Sequence, residues 1–267
     1  MKINTILQGN SLNLMSSLED NSIDLVLTSP PYSSMKDYVD FKGIPPDEYV
    51  DWFLPYCKEI FRILKPTGSF ILNINDKVED RFRHPYVYEL IHRLHQETDF
   101  KMYERLFWNK KKAIQNRSRF GDKVEYIFWF AKSKNFKVNM DEMRVPYQKS
   151  SINRMKYKLK KRHARVDGDE NVGYKSWSPN LSGALPSTLI DISSEYRKVS
   201  KSHIAVFPEK LAEFFIKGST NESDLVLDPF MGSGTTAVVA KRLKRNWIGM
   251  ELTAEYIDEA NIRISNS

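Results

Sequence analysis

The chain has 267 residues, a formal net charge of +7 and one cysteine. This length suits one domain with a large insertion or two modest domains, and one cysteine excludes an internal disulfide. The sequence has neither a run of 18 apolar residues nor an apolar amino terminus, so we expect a cytoplasmic protein with no membrane partner, and its positive charge favours a polyanionic one.

The first half of the chain alternates strands and helices. Hydrophobic patterning predicts strands at 3–7, 23–27 and 69–74 and helices at 12–18, 47–64 and 85–95, followed by strands at 100–108 and 124–131. Such alternation predicts a doubly wound α/β fold, in which helices cover both faces of a mostly parallel sheet. Cys57 falls on the apolar face of the second helix, where we expect a buried side chain.

Two prolines end the second strand within LTSPPYSS, residues 27–34. Pro30 and Pro31 cannot donate ladder hydrogen bonds, so the strand stops before them. Ser29 and Tyr32 therefore lie just past the carboxyl end of a strand, where open α/β sheets bind ligands. Taken alone, the motif is equally compatible with an ordinary Pro-Pro loop.

The stretch 134–202 has weak apolar periodicity and many Ser, Asn, Gly and Pro residues, so we interpret it as an insertion. Its segment 149–165 is rich in cations and contains no acid. Clustered cations neutralise phosphates and release counterions, which predicts nucleic-acid binding, with a solvated surface as the alternative. The cations are Lys149, Arg154, Lys156, Lys158, Lys160, Lys161, Arg162 and Arg165.

The carboxyl-terminal part returns to alternation, with helices predicted at 208–216, 235–243 and 254–264 and strands at 225–228 and 247–250. Residues 225–243 form a strand, an acid, a glycine turn and a helix. Gly232 and Gly234 permit a tight turn, and the helix from Thr235 points free N–H groups at a ligand. Residues 232–237 also satisfy the dinucleotide pattern, with Glu251 as the ribose-binding acid, so a NAD-dependent oxidoreductase is an alternative.

Asp228 distinguishes the two ligands. A carboxylate before the glycine turn repels the phosphates of a dinucleotide. It attracts the positively charged amino group of a sulfonium nucleoside that carries an amino-acid tail. The position of Asp228 therefore favours the sulfonium nucleoside.

Two motifs, T-S-P-P-Y at 28–32 and D-P-F-M-G-S-G-T-T at 228–236, resemble the amino-directed DNA methyltransferases that use S-adenosylmethionine. Their order, with an insertion between them, is that of the circularly permuted beta group of this family. Residues 64–72, 125–133, 203–211 and 246–263 also resemble family segments. The resemblance implies a Rossmann-like methyltransferase sheet with a catalytic half at 1–133, a basic target-recognition insertion at 134–202 and a cofactor-binding half at 203–267.

The resemblance also implies roles for individual residues and no metal site. Asn10 stands where the family usually has an aspartate, and its amide accepts a hydrogen bond from adenine without bringing a charge. The implied catalytic residues are Ser29, Pro30, Pro31 and Tyr32. The implied residues for S-adenosylmethionine are Asn10, Thr28, Phe207, Asp228, Pro229, Phe230, Gly232, Gly234, Thr235 and Glu251.

The residue before Pro-Pro-Tyr bears on the target base. An exocyclic amino group is a poor nucleophile, so the enzyme must hold it in line with the methyl–sulfur bond. The Ser29 hydroxyl and the Pro30 carbonyl can accept its hydrogens, while Tyr32 stacks on an extruded base. In the family serine goes mostly with cytosine N4 and aspartate with adenine N6, so the resemblance implies N4-methylation of cytosine in double-stranded DNA, with adenine N6 as the alternative.

Two other functions are disfavoured by the sequence. Carbon-5 methylation needs a nucleophilic cysteine, and a helical Cys57 disfavours it. A DNA-binding protein without catalysis is disfavoured by the intact motifs. The resemblance further implies a site-specific enzyme of a restriction-modification system, with a cognate restriction endonuclease acting separately, and leaves a homodimer open.

Overall fold

The computed structural model describes residues 2–33, 43–116, 119–155, 179–194 and 207–267, and the statements below concern these residues. The strands are β1 (Thr5–Gln8), β2 (Ile23–Thr28), β3 (Leu64–Ile74), β4 (Val78–Glu79), β5 (Phe82–Arg83), β6 (Lys101–Asn116), β7 (Arg119–Ala131), β8 (Leu189–Asp191), β9 (Leu225–Asp228) and β10 (Asn246–Glu251). The helices are α1 (Ser11–Ser16), α2 (Pro46–Ile63), α3 (Tyr86–Glu97), α4 (Lys149–Met155), α5 (Glu209–Ser219), α6 (Thr235–Arg242) and α7 (Ala254–Ser265), with a 3-10 helix at Met140–Met143.

The described strands form an eight-stranded sheet in the order β1-β10-β9-β2-β3-β7-β6-β8, and a separate hairpin of β4 and β5. The first five strands are mutually parallel. In the rest of the sheet, β7 runs antiparallel to both β3 and β6, and β6 is parallel to β8. The prediction of a mostly parallel sheet is confirmed.

Helices cover both faces of the sheet, as the alternation of elements predicted. The central strands β2 and β9 are buried along their whole length, as expected for parallel strands enclosed by helices. Two apolar clusters flank them. Tyr49, Phe53 and Leu90 of α2 and α3 belong to one cluster, while Phe215 of α5 and Val239 of α6 belong to the other.

Helix α2 buries its apolar face, including Cys57, which is fully buried. Burial raises the pKa of the Cys57 thiol far above its ordinary value, so the group stays neutral. The prediction that Cys57 is a buried apolar side chain is confirmed. No described helix is both long enough and apolar enough to cross a bilayer.

A buried charge lies near the start of β2. Asp24 accepts hydrogen bonds from Lys65 Nζ at 2.7 Å, Lys137 Nζ at 3.0 Å and the Leu225 amide at 3.0 Å. Burial by itself would raise the pKa of Asp24, but these hydrogen bonds and the Lys137 charge hold it below its ordinary value. Two lysines thus compensate the buried charge of Asp24, and its bond to the Leu225 amide joins the amino-terminal ends of β2 and β9.

The strands β6 and β7 extend further than the predicted ranges 100–108 and 124–131. Their added residues pair Ile114 with Asp122 and Asn116 with Arg119, beyond the rest of the sheet. The sequence of this extension is mostly polar, so apolar patterning gave no signal there.

Part of the predicted insertion joins the sheet. Strand β8 pairs with β6, and Ile190 lies opposite Trp108. The indole Nε1 of Trp108 donates a hydrogen bond to the Ile192 carbonyl at 2.7 Å. A strand of three residues was too short to predict from periodicity. The division at 134–202 and the circular permutation stay predictions.

Candidate active site

The candidate site lies at the carboxyl edge of the parallel strands. Strand β2 sits between β3 and β9, with Thr28 paired to Leu72 and Val26 to Leu227. Ser29 therefore follows β2 beside Asp228, the last residue of β9. The Thr28 hydroxyl donates a hydrogen bond to Asp228 Oδ1 at 2.7 Å. This bond joins the segment that carries the Ser-Pro-Pro-Tyr motif to the segment that carries the glycine turn.

The Asp228 carboxylate organises the turn that follows it. The Phe230 amide donates to Oδ1 at 3.1 Å, and the Thr236 hydroxyl in the first turn of α6 donates to Oδ2 at 2.7 Å. Burial raises the pKa of Asp228 to about 6; the Glu251 charge adds to the rise and the hydrogen bonds oppose it. A carboxylate destabilised by burial gains most from a cation bound nearby.

The glycine turn and Glu251 are in direct contact. Gly232 and Gly234 have φ angles of 50° and 79°, a left-handed conformation in which other residues are strained. Glu251 Oε2 accepts a hydrogen bond from the Gly232 amide at 2.8 Å, and Oε1 accepts one from the Thr253 amide at 3.0 Å. The geometry thus places both predicted cofactor-binding acids, Asp228 and Glu251, around one turn.

Pro229 and Thr235 are buried at the two ends of this turn. The Thr235 hydroxyl lies 3.3 Å from Arg263 Nη1, which also contacts the carbonyl and hydroxyl of Ser233. Arg263 therefore fixes the turn from the side of α7.

Asn10 lies at the same edge, since Gly9 before it donates to the Glu251 carbonyl at 2.9 Å. The Asn10 side-chain oxygen caps α1 by accepting from the amides of Leu12 at 3.0 Å and Asn13 at 3.3 Å. Helix capping explains an asparagine here independently of any ligand. Its predicted contact with adenine stays a prediction.

The two aromatic residues predicted to bind the cofactor, Phe207 and Phe230, differ in their surroundings. The centroid of the Phe230 ring lies 5.2 Å from that of Tyr56 and 5.9 Å from that of Trp52, both on α2. Helix α2 therefore forms one wall beside the glycine turn. Phe207 is half-buried, immediately before Pro208, and packs against the apolar cluster that contains Phe215. Packing accounts for Phe207, and its closure over a ligand stays a prediction.

The Ser-Pro-Pro-Tyr segment is held by hydrogen bonds at both ends. Ser29 Oγ donates to the Tyr32 hydroxyl at 3.1 Å, and the Tyr49 hydroxyl donates to the Pro31 carbonyl at 3.1 Å. Pro30, between them, is buried. These contacts give the loop a defined shape that the proline pair alone would not provide.

A chain of hydrogen bonds runs from Ser29 to a carboxylate. The Tyr32 hydroxyl donates to Glu125 Oε2 at 2.7 Å. Burial, with the nearby Glu125 charge, raises the pKa of Tyr32 well above its ordinary value, so Tyr32 stays a phenol that donates. Each hydroxyl in the chain therefore donates to the next group toward Glu125.

The sequence interpretation missed three residues of this network. Asn73 Nδ2 lies 2.6 Å from the Tyr32 hydroxyl, 2.9 Å from Glu125 Oε2 and 3.3 Å from Ser29 Oγ. Lys110 Nζ lies 3.1 Å from Glu125 Oε1. The available signals were an asparagine within the apolar run of β3 and an acid just before the apolar run of β7.

This arrangement can receive a proton from a group bound at Ser29 and pass it to Glu125. Asn73 and Lys110 hold that carboxylate in place through a hydrogen bond at 2.9 Å and an ion pair at 3.1 Å. Within the described ranges, no group of His, Cys, Asp and Glu residues suits a metal ion.

The basic segment is described only at its start. Lys149 is exposed at the first residue of α4, and Arg154 lies in the same helix. The other predicted DNA-contacting cations, Lys156, Lys158, Lys160, Lys161, Arg162 and Arg165, lie outside the described residues. Their contact with DNA stays a prediction.

The chain is similar to several DNA methyltransferases. The Type II methyltransferase M.PvuII of Proteus hauseri is 32% identical to it, over 96% of this chain and 82% of the relative. M1.MboII of Moraxella bovis is 33% identical, over 98% of this chain and 96% of the relative.

Solved structures agree with these sequence relatives. The structure of PvuII DNA methyltransferase (cytosine-N4-specific) superposes with a TM-score of 0.74 at 28% identity, over 97% of this chain and 85% of that one. A Thermus thermophilus protein in complex with S-adenosyl-L-methionine shares the fold, with a TM-score of 0.67 at 23% identity, over 98% of this chain and 93% of that one.

The match extends to a whole family. The model of the DNA methylase family N6_N4_Mtase covers residues 23–262, which include both the Ser-Pro-Pro-Tyr segment and the glycine turn. Together with two relatives above 30% identity over nearly the whole chain, this match shows that the protein belongs to the N6/N4 family of DNA methylases.

Proposed function

We propose that this enzyme transfers a methyl group from S-adenosylmethionine to the exocyclic N4 amino group of a cytosine rotated out of duplex DNA. The observation that carries the proposal is the chain of hydrogen bonds from Ser29 through Tyr32 to Glu125, next to the hydrogen bond from Thr28 to Asp228. Membership of the DNA methylase family and the likeness to a cytosine-N4-specific enzyme support it.

The glycine-turn region suits S-adenosylmethionine. This molecule carries a cationic amino group and sulfonium and a ribose diol, and the region offers the buried Asp228 and the partly exposed Glu251 around one turn. A cation near Asp228 relieves the cost of burying that carboxylate. Glu251 would hold the ribose hydroxyls, and Phe230 with the α2 aromatic residues would line the methionine portion.

S-adenosylmethionine supplies an electrophilic methyl group, so that the amino nitrogen gains a carbon bond as the methyl–sulfur bond breaks. The protein's task is to orient the amine and remove one proton. Ser29 Oγ and the Pro30 carbonyl accept the two amino hydrogens and direct the nitrogen lone pair. Tyr32 holds the face of the extruded base.

The hydrogen-bond chain at Ser29 provides the route for the leaving proton. The proton passes from the methylated nitrogen to Ser29 Oγ, the Ser29 proton passes to Tyr32, and the Tyr32 proton passes to Glu125. Each transfer follows a hydrogen bond already oriented toward Glu125. Asn73 and Lys110 keep the accepting carboxylate in place.

Product identification tests the choice of base. Unmodified genomic DNA is incubated with the enzyme and labelled S-adenosylmethionine, digested to nucleosides and analysed by mass spectrometry. N4-methylcytosine is the expected product. N6-methyladenine as the sole labelled nucleoside would show that the assignment from Ser29 is wrong while the reaction class stands.

Two variants test the residues. Ser29→Ala should lower the single-turnover methylation rate by about tenfold or more, because one transition-state hydrogen bond worth about 1.4 kcal/mol is lost. Tyr32→Phe keeps the ring for stacking and removes the hydroxyl, so it should lower the rate while DNA affinity is retained. Affinity for S-adenosylmethionine serves as the control in both. Unchanged rates would exclude the proton route.

The biological setting is part of the proposal. We infer a restriction-modification role, with a separate cognate endonuclease, from the Type II methyltransferases among the relatives. The net charge of +7 supports double-stranded DNA as the partner.

A further inference from the structure

A long hairpin projects from the sheet beside Ser29. Tyr126 of β7 is paired with Ile74, the last residue of β3, so the residues of β7 before Glu125 lie beyond the sheet edge. At about 3.3 Å per residue, the strand from Arg119 to Val124 reaches about 20 Å past that edge. The projection lies on the side where the candidate active site opens.

The small β4–β5 hairpin is fastened to this projection. Arg119 Nη1 donates to the Arg81 carbonyl at 2.5 Å, and Arg83 forms an ion pair with Asp122 at 3.4 Å. Arg83 also pairs with Asp76, a buried carboxylate just after β3. The two hairpins are therefore tied to each other and to the sheet beside the active site.

The outer surface of the two hairpins combines exposed rings with cations. Phe120 is fully exposed, and Phe82 is 78% exposed. Lys111, Lys123 and Arg81 are exposed on the same two hairpins, as are the acids Glu79 and Asp80 beside Arg81, while Glu79 is ion-paired with Lys77. Single exposed apolar side chains are common, but two phenylalanines on adjoining hairpins, with exposed lysines on the β6–β7 hairpin, indicate a polyanion with apolar faces as the partner.

We propose that the β4–β5 and β6–β7 hairpins contact the DNA duplex next to the extruded base. The inference rests on the proposed function, because a base can reach Ser29 only when its duplex lies along this edge of the sheet. Lys111 and Lys123 neutralise phosphates, and Phe120 packs against the base pairs next to the gap. A two-stranded ribbon fits the major groove, and apolar side chains commonly stabilise unstacked steps.

The charges are tested with matched lysines. Lys111 and Lys244 are both exposed and have similar positive φ angles of 63° and 59°. Lys244 precedes the amino-terminal end of β10, whereas the candidate active site lies at the carboxyl ends of the parallel strands. The dependence of duplex binding on salt is measured by fluorescence anisotropy. Lys111→Gln with Lys123→Gln should flatten the log-log slope by up to about 0.9 per lost contact, and Lys244→Gln should leave it unchanged. Equal slopes for all variants would overturn the phosphate contacts.

The ring is tested by its effect on methylation. Phe120→Ala should lower kcat/KM on duplex DNA by roughly fivefold or more, as expected for the loss of base stacking, and Phe120→Trp should restore it. Ile262→Ala removes an exposed side chain from α7 and is the control. A target base placed in a mismatch should reduce the Phe120→Ala effect, because such a base is extruded more easily.

The outcomes separate the two proposals. If the unaltered enzyme forms no N4-methylcytosine, the proposed product is wrong, whereas the proposed contact of the hairpins with DNA is judged by the variants. Normal kcat/KM for Phe120→Ala, with product formed, overturns the role of the ring. Sedimentation of the same variants shows whether Phe120 instead joins two copies of the chain. A change in oligomeric state with unchanged DNA binding would refute the duplex contact.

Discussion

Replacing Asp228 by asparagine should stabilise the protein above pH 6. The pKa of Asp228 is raised from 3.8 to about 6. Above pH 6, its ionised form is therefore about 3 kcal/mol less favourable in the folded than in the unfolded chain. Asparagine removes this cost but fits the Thr28 and Thr236 hydroxyls less well, which offsets about 1 kcal/mol. We expect Asp228→Asn to be more stable than the unaltered chain by about 1–3 kcal/mol at about pH 8.

The pH dependence identifies the cause. Asp228 has a raised folded-state pKa, so the free-energy cost of its ionised form is full above pH 6, falls as the pH drops from 6 to 3.8, and vanishes only below 3.8, where the carboxyl is protonated in both the folded and the unfolded state. In urea unfolding followed by tryptophan fluorescence, the difference in unfolding free energy between Asp228→Asn and the unaltered chain should therefore shrink as the pH is lowered from 6. The buried Asp24 is the control. Because its pKa is lowered, Asp24→Asn should destabilise the protein above about pH 4.

The same variant should bind S-adenosylmethionine more weakly, because the charge that destabilises the fold is the one that attracts the cationic ligand. A less stable Asp228→Asn protein at about pH 8, or a stability gap that does not vary with pH, would refute this reasoning.

Two other predictions concern the ligand and the DNA. Glu251→Ala should weaken S-adenosylmethionine binding by roughly 1–3 kcal/mol in calorimetric titration, because a hydrogen-bonding carboxylate is lost; an unchanged affinity would exclude the ribose contact. Neutral substitutions at Lys158, Lys160 and Lys161 should weaken duplex binding and flatten its salt dependence by up to about 0.9 per contact, with cofactor affinity retained. A slope equal to that of the unaltered chain would mark the basic segment as a solvated surface.

The sequence was sufficient to predict those strands and helices that have regular apolar patterning and that end at proline or glycine residues. The apolar runs of β2 and β9 and the residues after them, Pro30-Pro31 and the glycine turn, are local signals of strand ends. Because ligands bind at the carboxyl ends of parallel strands, these signals were enough to predict that Ser29, Asp228 and Glu251 lie at strand ends where a ligand binds.

The network around Glu125 could not be predicted in the same way. Asn73 and Glu125 are far apart in the sequence and meet because β3 and β7 pair antiparallel, with Ile74 opposite Tyr126. Periodicity reports which face of a strand is apolar and not which strand lies beside it. A polar residue in an apolar run shows only that some partner is needed.

Strand β2 gains its neighbours at very different times during synthesis. Its partner β3 follows within about fifty residues, whereas β9 follows about two hundred residues later, so one edge of a fully buried strand stays open while most of the chain is made. The sheet can close only when residues 225–228 have left the ribosome. Fragments that end before β9 therefore expose an apolar strand edge and should aggregate, and the enzyme should fold as a unit after synthesis is nearly complete.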